Sequence, residues 1–195
     1  MAYRNVLDKM NLEERAKKIK LIIMDVDGTL TDGMLYVMPN GEEIKGYNVK
    51  DGTGILLAHL AGLKTAIITG KISKALEKRA EKLGIKELYQ GYIDKKSILI
   101  ELLEKYSLKL DEVAFIGDDI GDLEVMKVVG LAGAVADAHS EIKKVSHFIS
   151  NFAGGKGAVR EFIEYILKSQ GKWEYLLKEI RNLKDNRENK YENKP

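Results

Sequence analysis

The stretch "DVDGT" at residues 25–29 places two aspartates, one residue apart, at the end of a run of aliphatic residues. A carboxylate at the end of a buried strand is costly unless a cation or a hydrogen-bond donor compensates it. An aspartate beside Mg²⁺ can attack phosphorus and form an aspartyl-phosphate. A second carboxylate two residues later shares the face of the strand and can exchange a proton with the leaving oxygen and with water. Asp25 and Asp27 therefore predict phosphoryl-transfer chemistry.

Polar residues also follow three later apolar stretches of the chain. They are Thr69 and Gly70 after the second stretch, Lys95 after the third, and Asp118, Asp119 and Asp122 at the end of the fourth. Carboxylates that meet in one crevice repel one another unless a cation holds them, and oxygen ligands without histidine or cysteine select Mg²⁺. The Thr69 hydroxyl and the Lys95 ammonium are both suited to bind a phosphoryl group.

The elements that must position these residues follow a regular alternation. Apolar β-prone stretches lie at 20–26, 64–70, 87–91, 112–119, 131–136 and 147–150, and helical periodicity is found at 52–62, 72–84, 95–107, 120–129, 139–145 and 157–169. Such alternation predicts an α/β fold with a parallel sheet, right-handed crossovers and helices on both faces. Ligands of open α/β sheets bind beyond the carboxyl ends of the strands, where the polar residues collect.

One segment interrupts the alternation. Residues 34–49, "MLYVMPNGEEIKGYNV", read as a strand, a Pro-Asn-Gly turn and a second strand, which predicts a β-hairpin inserted after the first core strand. An isolated hairpin is marginally stable in water and needs a surface to pack on. We therefore expect it to cover the site or to contact another subunit.

Composition restricts the class of protein. The 195 residues suit one domain, 45% of them are hydrophobic and 32% charged, and the net charge of +2 gives no reason to expect a nucleic acid or a membrane as partner. The chain has no cysteine and no apolar stretch of membrane-spanning length, and a cytoplasmic location is the simplest expectation. Residues 1–170 are expected to form the domain, and residues 171–195 a tail that begins as a packed helix and ends disordered.

Taken in order, "DVDGT", "ITG", Lys95 and "GDDIGD" resemble the haloacid dehalogenase (HAD) superfamily over residues 18–169. The resemblance implies that Asp25 is the nucleophile and Asp27 the general acid/base. It implies that the Asp25 carboxylate, the Asp27 backbone carbonyl and the Asp118 carboxylate bind Mg²⁺. Lys95 is preferred to Lys96 because its distance from Gly91 resembles the spacing in the superfamily.

The same resemblance implies that Thr69 and Lys95 hold the phosphate. It gives Asp119 and Asp122 a lesser role, in which they act on the metal through water or through its ligands. Only 44 residues separate Asp25 from Thr69, and 26 separate Thr69 from Lys95. Both intervals are filled by the predicted hairpin, helices and strand, so no separate cap domain is expected.

Several stretches resemble more closely the 3-deoxy-D-manno-octulosonate 8-phosphate (KDO 8-phosphate) phosphatases, and they are "DVDGTLTDG", "YNVKDGTGI", "ITGKIS", "YQG", "VADAH" and "GGKGAVRE". This resemblance implies a capless, Mg²⁺-dependent homotetramer that makes KDO for lipopolysaccharide precursors, with the hairpins assembled in a central barrel. Lys50 and Lys71 stand where that family has arginine, and a lysine lacks the planar fork that binds a carboxylate. Nine-carbon sugar-acid 9-phosphates remain an alternative substrate.

The stretch "AGGKGAVRE" at residues 153–161 superficially resembles a phosphate-binding P-loop, but it lacks the leading glycine and the Ser or Thr after the lysine. By the family resemblance, Lys156 and Arg160 contact the substrate of a neighbouring subunit. Gly70, Lys71 and Lys50 complete the predicted substrate-binding set.

Other classes of protein share parts of this pattern. Two-component receiver domains also combine an acidic pocket, threonine, lysine and Mg²⁺, but their phosphorylated aspartate lies on a middle strand and no second aspartate follows it. A binding protein built on an inactive phosphatase would not need the complete motif set. A phosphomutase of the same fold would need the absent cap.

Overall fold

Six strands form one parallel sheet in the computed structural model, which describes residues 10–180. The order across the sheet is β5-β4-β1-β6-β7-β8, and a separate antiparallel pair, β2 and β3, forms the hairpin. The strands are β1 (Leu21–Met24), β2 (Tyr36–Val37), β3 (Glu43–Ile44), β4 (Lys64–Thr69), β5 (Glu87–Gln90), β6 (Val113–Gly117), β7 (Leu131–Ala134) and β8 (Phe148–Ile149). The α/β prediction with a parallel sheet is confirmed.

Seven α-helices connect or flank these strands within residues 10–169, and a further helical segment lies at residues 173–180. They are α1 (Leu12–Lys18), α2 (Val49–Leu60), α3 (Lys74–Leu83), α4 (Lys95–Tyr106), α5 (Leu123–Met126), α6 (Ser140–Val145) and α7 (Ala158–Ser169). Helix α7 packs against α1 and α2, whereas α5 packs against α4 and α6. Helices α2 and α3 connect strands in the direction of β5, whereas α4, α5 and α6 connect strands in the direction of β8. Because the crossovers are right-handed, the two groups lie on opposite faces of the sheet.

Strand β1 occupies the centre of the sheet, and all four of its residues are buried. It pairs in parallel with β4 on one side and with β6 on the other, so that Met24 lies opposite both Ile67 and Ile116. Because the three strands run in the same direction and in register, the residues that follow them reach the same edge of the sheet. The core therefore delivers the segments after β1, β4 and β6 to one place.

The hairpin is shorter than predicted. Its two strands have two residues each, and the chain enters helix α2 at Val49, where the side chain of Asn48 caps the helix by accepting a hydrogen bond from the Lys50 amide. The hairpin was predicted at residues 34–49 and the next helix from residue 52, and both bounds are wrong. Asn48 caps a helix that begins at Val49, and this outweighs the β-propensity of "YNV". The side chains of β2 and β3 are exposed, Val37 to 65%.

Two other boundaries differ from expectation. The predicted helix of residues 120–129 is a 3₁₀ turn at Ile120–Asp122 followed by the short helix α5. Residues 173–180 are helical and Leu176 is completely buried, so this part of the tail packs on the domain. The predicted disorder at 184–195 lies outside the described residues. None of the helices within residues 10–180 has the length and apolar character needed to cross a membrane.

Candidate active site

Asp25 follows β1 directly, and its amide continues the sheet by donating a hydrogen bond to the Ile116 carbonyl over 3.0 Å. Its buried carboxylate binds the ammonium of Lys95, the first residue of α4. The same ammonium lies 2.6 Å from Oδ1 of Asp122. One buried lysine thus bridges the carboxylate after β1 and a carboxylate from the segment after β6.

Asp118 lies beside this pair at the end of β6. Its Oδ1 accepts a hydrogen bond of 2.9 Å from the Thr29 hydroxyl. Carboxylate oxygens of Asp25, Asp118 and Asp122 all lie within 4.8 Å of one another. A Cβ atom on Gly28 would lie 2.1 Å from Asp118 Oδ2, and Gly28 also has φ of +90°. Glycine is required there both by the backbone conformation and by the close approach of the aspartate.

Electrostatics show how costly this arrangement is without a bound cation. Burial and the neighbouring carboxylate of Asp122 raise the pKa of Asp25 to about 8. Burial likewise raises the pKa of Asp118 to about 6, although the Thr29 hydroxyl partly offsets it. Burial alone would lower the pKa of Lys95, but Asp25 and Asp122 raise it overall. Three carboxylates share one ammonium, so the cluster has the donor type and the excess negative charge that suit a divalent cation.

Asp122 takes a more central position than the sequence indicated. Its Oδ2 accepts hydrogen bonds from the amides of Asp118 and Asp119, while its Oδ1 faces Lys95. Asp119, by contrast, is exposed and caps the following 3₁₀ turn through the Ile120 amide. The structure therefore groups Asp122, and not Asp119, with Asp25 and Asp118.

Asp27 has a partner that the sequence reasoning missed. The ammonium of Lys45 lies 2.6 Å and 2.8 Å from its two carboxylate oxygens. Lys45 follows β3, so the hairpin brings it back to the DxD segment. The sequence carries no signal of this contact, because 18 residues separate the two side chains and the path of the hairpin brings them together.

The residues after β4 line the same edge of the sheet. Thr69 ends the strand and is buried, and its hydroxyl accepts a hydrogen bond of 3.4 Å from the Lys71 amide. Gly70 and Lys71 are exposed.

The structure distinguishes Lys95 from Lys96, the next residue in the chain. Lys95 is buried and contacts the aspartates, whereas Lys96 is exposed.

The glycine-rich segment packs on the nucleophile segment of its own chain. The Gly155 amide donates to the Thr29 carbonyl over 3.0 Å, and a Cβ atom on Gly154 would lie 1.8 Å from the Gly28 carbonyl oxygen. The Asn48 side chain donates to the Gly155 carbonyl over 3.0 Å. Glycines are needed here for close contact between two backbones.

Lys50, Lys156 and Arg160 line a cavity of about 470 Å³ beside that segment. Lys156 Nζ lies 3.5 Å from Asp32 Oδ2, and the Arg160 guanidinium binds Glu164. Both side chains therefore have partners within their own chain. Their predicted contact with the substrate of a neighbouring subunit stays a prediction.

Comparison with known proteins agrees with this geometry. The profile of the haloacid dehalogenase-like hydrolases matches residues 65–163. The 3-deoxy-D-manno-octulosonate 8-phosphate phosphatase KdsC of Salmonella typhi is 46% identical over 158 residues, which cover 81% of this chain and 84% of the relative.

Two solved structures are also similar to the chain. The 3-deoxy-D-manno-octulosonate 8-phosphate phosphatase from Yersinia pestis has a TM-score of 0.82 and 46% identity, covering 84% of this chain and 88% of that one. The enzyme of that name from Moraxella catarrhalis, in complex with a magnesium ion, a phosphate ion and KDO, has a TM-score of 0.85 and 38% identity, covering 87% and 97%. The chain therefore belongs to the haloacid dehalogenase-like hydrolases, in the family of the 3-deoxy-D-manno-octulosonate 8-phosphate phosphatases.

Proposed function

We infer that this chain is a phosphomonoester hydrolase that converts KDO 8-phosphate to KDO and phosphate, a step toward lipopolysaccharide precursors. The observation that carries this proposal is the acidic site at the end of β1, in a chain 46% identical over 158 residues to a phosphatase of that name. In this site the buried Asp25, Lys95 and Asp122 cluster with the half-buried Asp118, and Asp27 lies two residues from Asp25. The nine-carbon sugar-acid phosphates differ in the part of the substrate that lies away from phosphorus, so they remain the second candidate.

The reaction that fits these residues has two displacements. A carboxylate oxygen of Asp25 attacks phosphorus, the bond between phosphorus and the sugar oxygen breaks, and Asp27 gives its proton to that oxygen. Water then attacks phosphorus in the aspartyl-phosphate, and Asp27 takes the proton from this water. The bond between phosphorus and the Asp25 oxygen breaks, which releases phosphate and restores the Asp25 carboxylate. In this proposal Lys95 and Thr69 hold the phosphoryl oxygens during both steps.

We propose Mg²⁺ as the cofactor, held by the carboxylates of Asp25 and Asp118 and the backbone carbonyl of Asp27. The cluster of Asp25, Asp118 and Asp122 supports this for two reasons. Its ligand atoms are all hard oxygen atoms, and its three carboxylates outnumber the single ammonium that faces them. The Moraxella catarrhalis relative also holds a magnesium ion. When bound, the ion neutralises charge on the phosphate and on the attacking carboxylate.

Phosphate release from purified protein tests the function. We expect release from KDO 8-phosphate to have a higher kcat/KM than release from a nine-carbon sugar-acid 9-phosphate, and both rates to vanish after chelation with EDTA and return with Mg²⁺. A control incubated with EDTA already saturated with Mg²⁺ separates chelation from other effects. Full activity after chelation would refute the metal requirement. A higher kcat/KM for the nine-carbon substrate would identify that compound, and not KDO 8-phosphate, as the substrate.

We further propose a homotetramer whose neighbouring subunits complete each active site and contribute Lys156 and Arg160. The exposed apolar side chains of the hairpin support an assembly through this element, and they are Met34, Leu35, Tyr36, Val37, Met38 and Ile44. A side-chain set of this size is unusual on the surface of a chain that does not associate. Without a cap, a neighbouring subunit would also exclude water from the site. The cytoplasmic location expected from the sequence stays a prediction.

Light scattering tests the assembly. We expect four copies for the unmodified protein, and smaller species with lower activity for Val37→Lys, because a charge is costly to bury in an apolar contact. The matched control is Ile100→Lys, which adds the same charge to an exposed position on α4. A fully active single chain at nanomolar concentration would contradict the proposal.

A further inference from the structure

Lys45 is an unusual residue of the hairpin. The neighbouring side chains of Glu43 and Ile44 are exposed, but only 3% of the Lys45 side chain is. A lysine at an exposed hairpin can keep its ammonium in water at no cost, whereas burying the ammonium requires a compensating partner. The structure provides this partner in Asp27.

The contact between the two residues has a well-defined geometry. The ammonium lies 2.6 Å from one carboxylate oxygen of Asp27 and 2.8 Å from the other. Among residues 10–180, Lys45 is the only hydrogen-bond donor to this carboxylate. The Asp27 side chain itself is 26% exposed, so part of it lies in solvent and not against packed neighbours. Its orientation therefore depends on one ammonium carried by a different element.

We propose that Lys45 is a positioning residue, which holds the Asp27 carboxylate in the orientation needed for proton exchange with the sugar oxygen and with water. This inference rests on the proposed role of Asp27 as general acid/base. Proton transfer requires heavy atoms about 2.6–3.2 Å apart, so rotation of the carboxylate would remove Asp27 from the reaction. The hairpin thereby contributes to catalysis as well as to the proposed assembly.

The choice of leaving group tests this role. Lys45→Met removes the charge and keeps the length of the side chain. We expect kcat for a sugar phosphate, whose alkoxide needs a proton, to fall by on the order of 10–10²-fold, with KM nearly unchanged. For p-nitrophenyl phosphate, whose leaving group departs without a proton, we expect the first displacement, measured as the burst of p-nitrophenolate, to slow by less than about threefold, because only the later attack of water needs Asp27.

Two further variants support the test. Lys45→Arg keeps the charge and can donate to both oxygens, so it should recover part of the lost kcat. Lys78→Met is the matched control, because Lys78 forms an ion pair with Glu81 in which both side chains are exposed, and it should leave both rates unchanged. If Lys45→Met does not fold, Lys45→Gln provides the same comparison.

A double-mutant cycle decides between positioning and a general structural role. In the Asp27→Asn background, Lys45→Met should have almost no further effect on kcat, because the group that it positions no longer exchanges a proton. Equal losses in the first displacement on both substrates, or losses that add in the double mutant, would overturn the proposal. Failure of the proposed function is recognised separately with the unmodified protein, which would then release little or no phosphate from KDO 8-phosphate.

Discussion

Asp25→Asn is expected to abolish phosphate release. The amide cannot act as the nucleophile that forms an acyl-phosphate, and no other described carboxylate follows β1 at the position where the strand meets Lys95. The fold should persist, because asparagine has the same size and can still bind the Lys95 ammonium through its carbonyl oxygen. Phosphate release and thermal melting of the purified variant measure the two effects.

The raised pKa of Asp25 also leads to an expected effect of Asp25→Asn on stability. Because burial and Asp122 raise the pKa of Asp25 to about 8, an ionised Asp25 is unfavourable in the metal-free fold. The neutral amide should therefore melt no lower than the unmodified protein when Mg²⁺ is absent. The matched control is Asp94→Asn, which removes an exposed carboxylate beside Lys95 but keeps a good helix cap for α4. Turnover by Asp25→Asn would exclude Asp25 as the nucleophile.

The acidic edge of the sheet was predictable from the sequence for a simple reason. Each buried strand appears as an apolar stretch, and parallel strands bring the residues that follow them to the same edge. Thr69 is the last residue of such a stretch, and Asp25 and Asp118 each follow one directly. Lys95 is the first residue of the helix after β5, and its ammonium binds Asp25 in the structure, whereas the sequence indicated only a phosphate-binding role for it.

The importance of Asp122 was not predictable, because in the sequence it resembles an ordinary residue of a first helical turn. Its position depends on the tight return of the chain after β6, where a Cβ atom on Gly117 would lie 2.2 Å from Asp122 Oδ2. The contact of Lys45 depends in the same way on how the hairpin folds back over Asp27. Neither contact follows from periodicity or composition, since both are set by loop geometry.

The glycine-rich segment shows a second limit of sequence reasoning. The motifs around Asn48, Asp51 and Asp137 have no evident chemistry in the sequence. In the structure, Asn48 and Asp137 hydrogen-bond to Gly155 and Gly154, and Asp51 accepts a hydrogen bond of 2.8 Å from the Arg160 amide. These contacts join parts of the chain that are up to 109 residues apart. They hold the segment on the Gly28 backbone, which only the three-dimensional arrangement reveals.

Lys95→Met is expected to have the largest combined effect, on both turnover and stability. The methionine cannot hold the phosphate, and it leaves the buried Asp122 carboxylate without its ammonium partner, next to an Asp25 whose raised pKa already disfavours the charged form. Removing one partner of a buried ion pair destabilises a protein by about 3–5 kcal/mol. We therefore expect no measurable phosphate release and a free energy of unfolding lower by about that amount without Mg²⁺, measured by urea denaturation.

Mg²⁺ distinguishes this electrostatic cause from a simple packing defect. A bound divalent cation would supply positive charge to the same carboxylates, so Mg²⁺ should raise the melting temperature of Lys95→Met more than that of the unmodified protein. The matched control is Lys96→Met, whose exposed side chain should change the free energy of unfolding by less than about 0.5 kcal/mol. A Lys95→Met protein with unchanged melting and turnover would contradict both the buried ion pairs and the assignment of Lys95 to the phosphate. A destabilised variant whose melting did not respond to Mg²⁺ would instead argue that packing against the Phe115 ring, 5.8 Å from the ammonium, determines the effect.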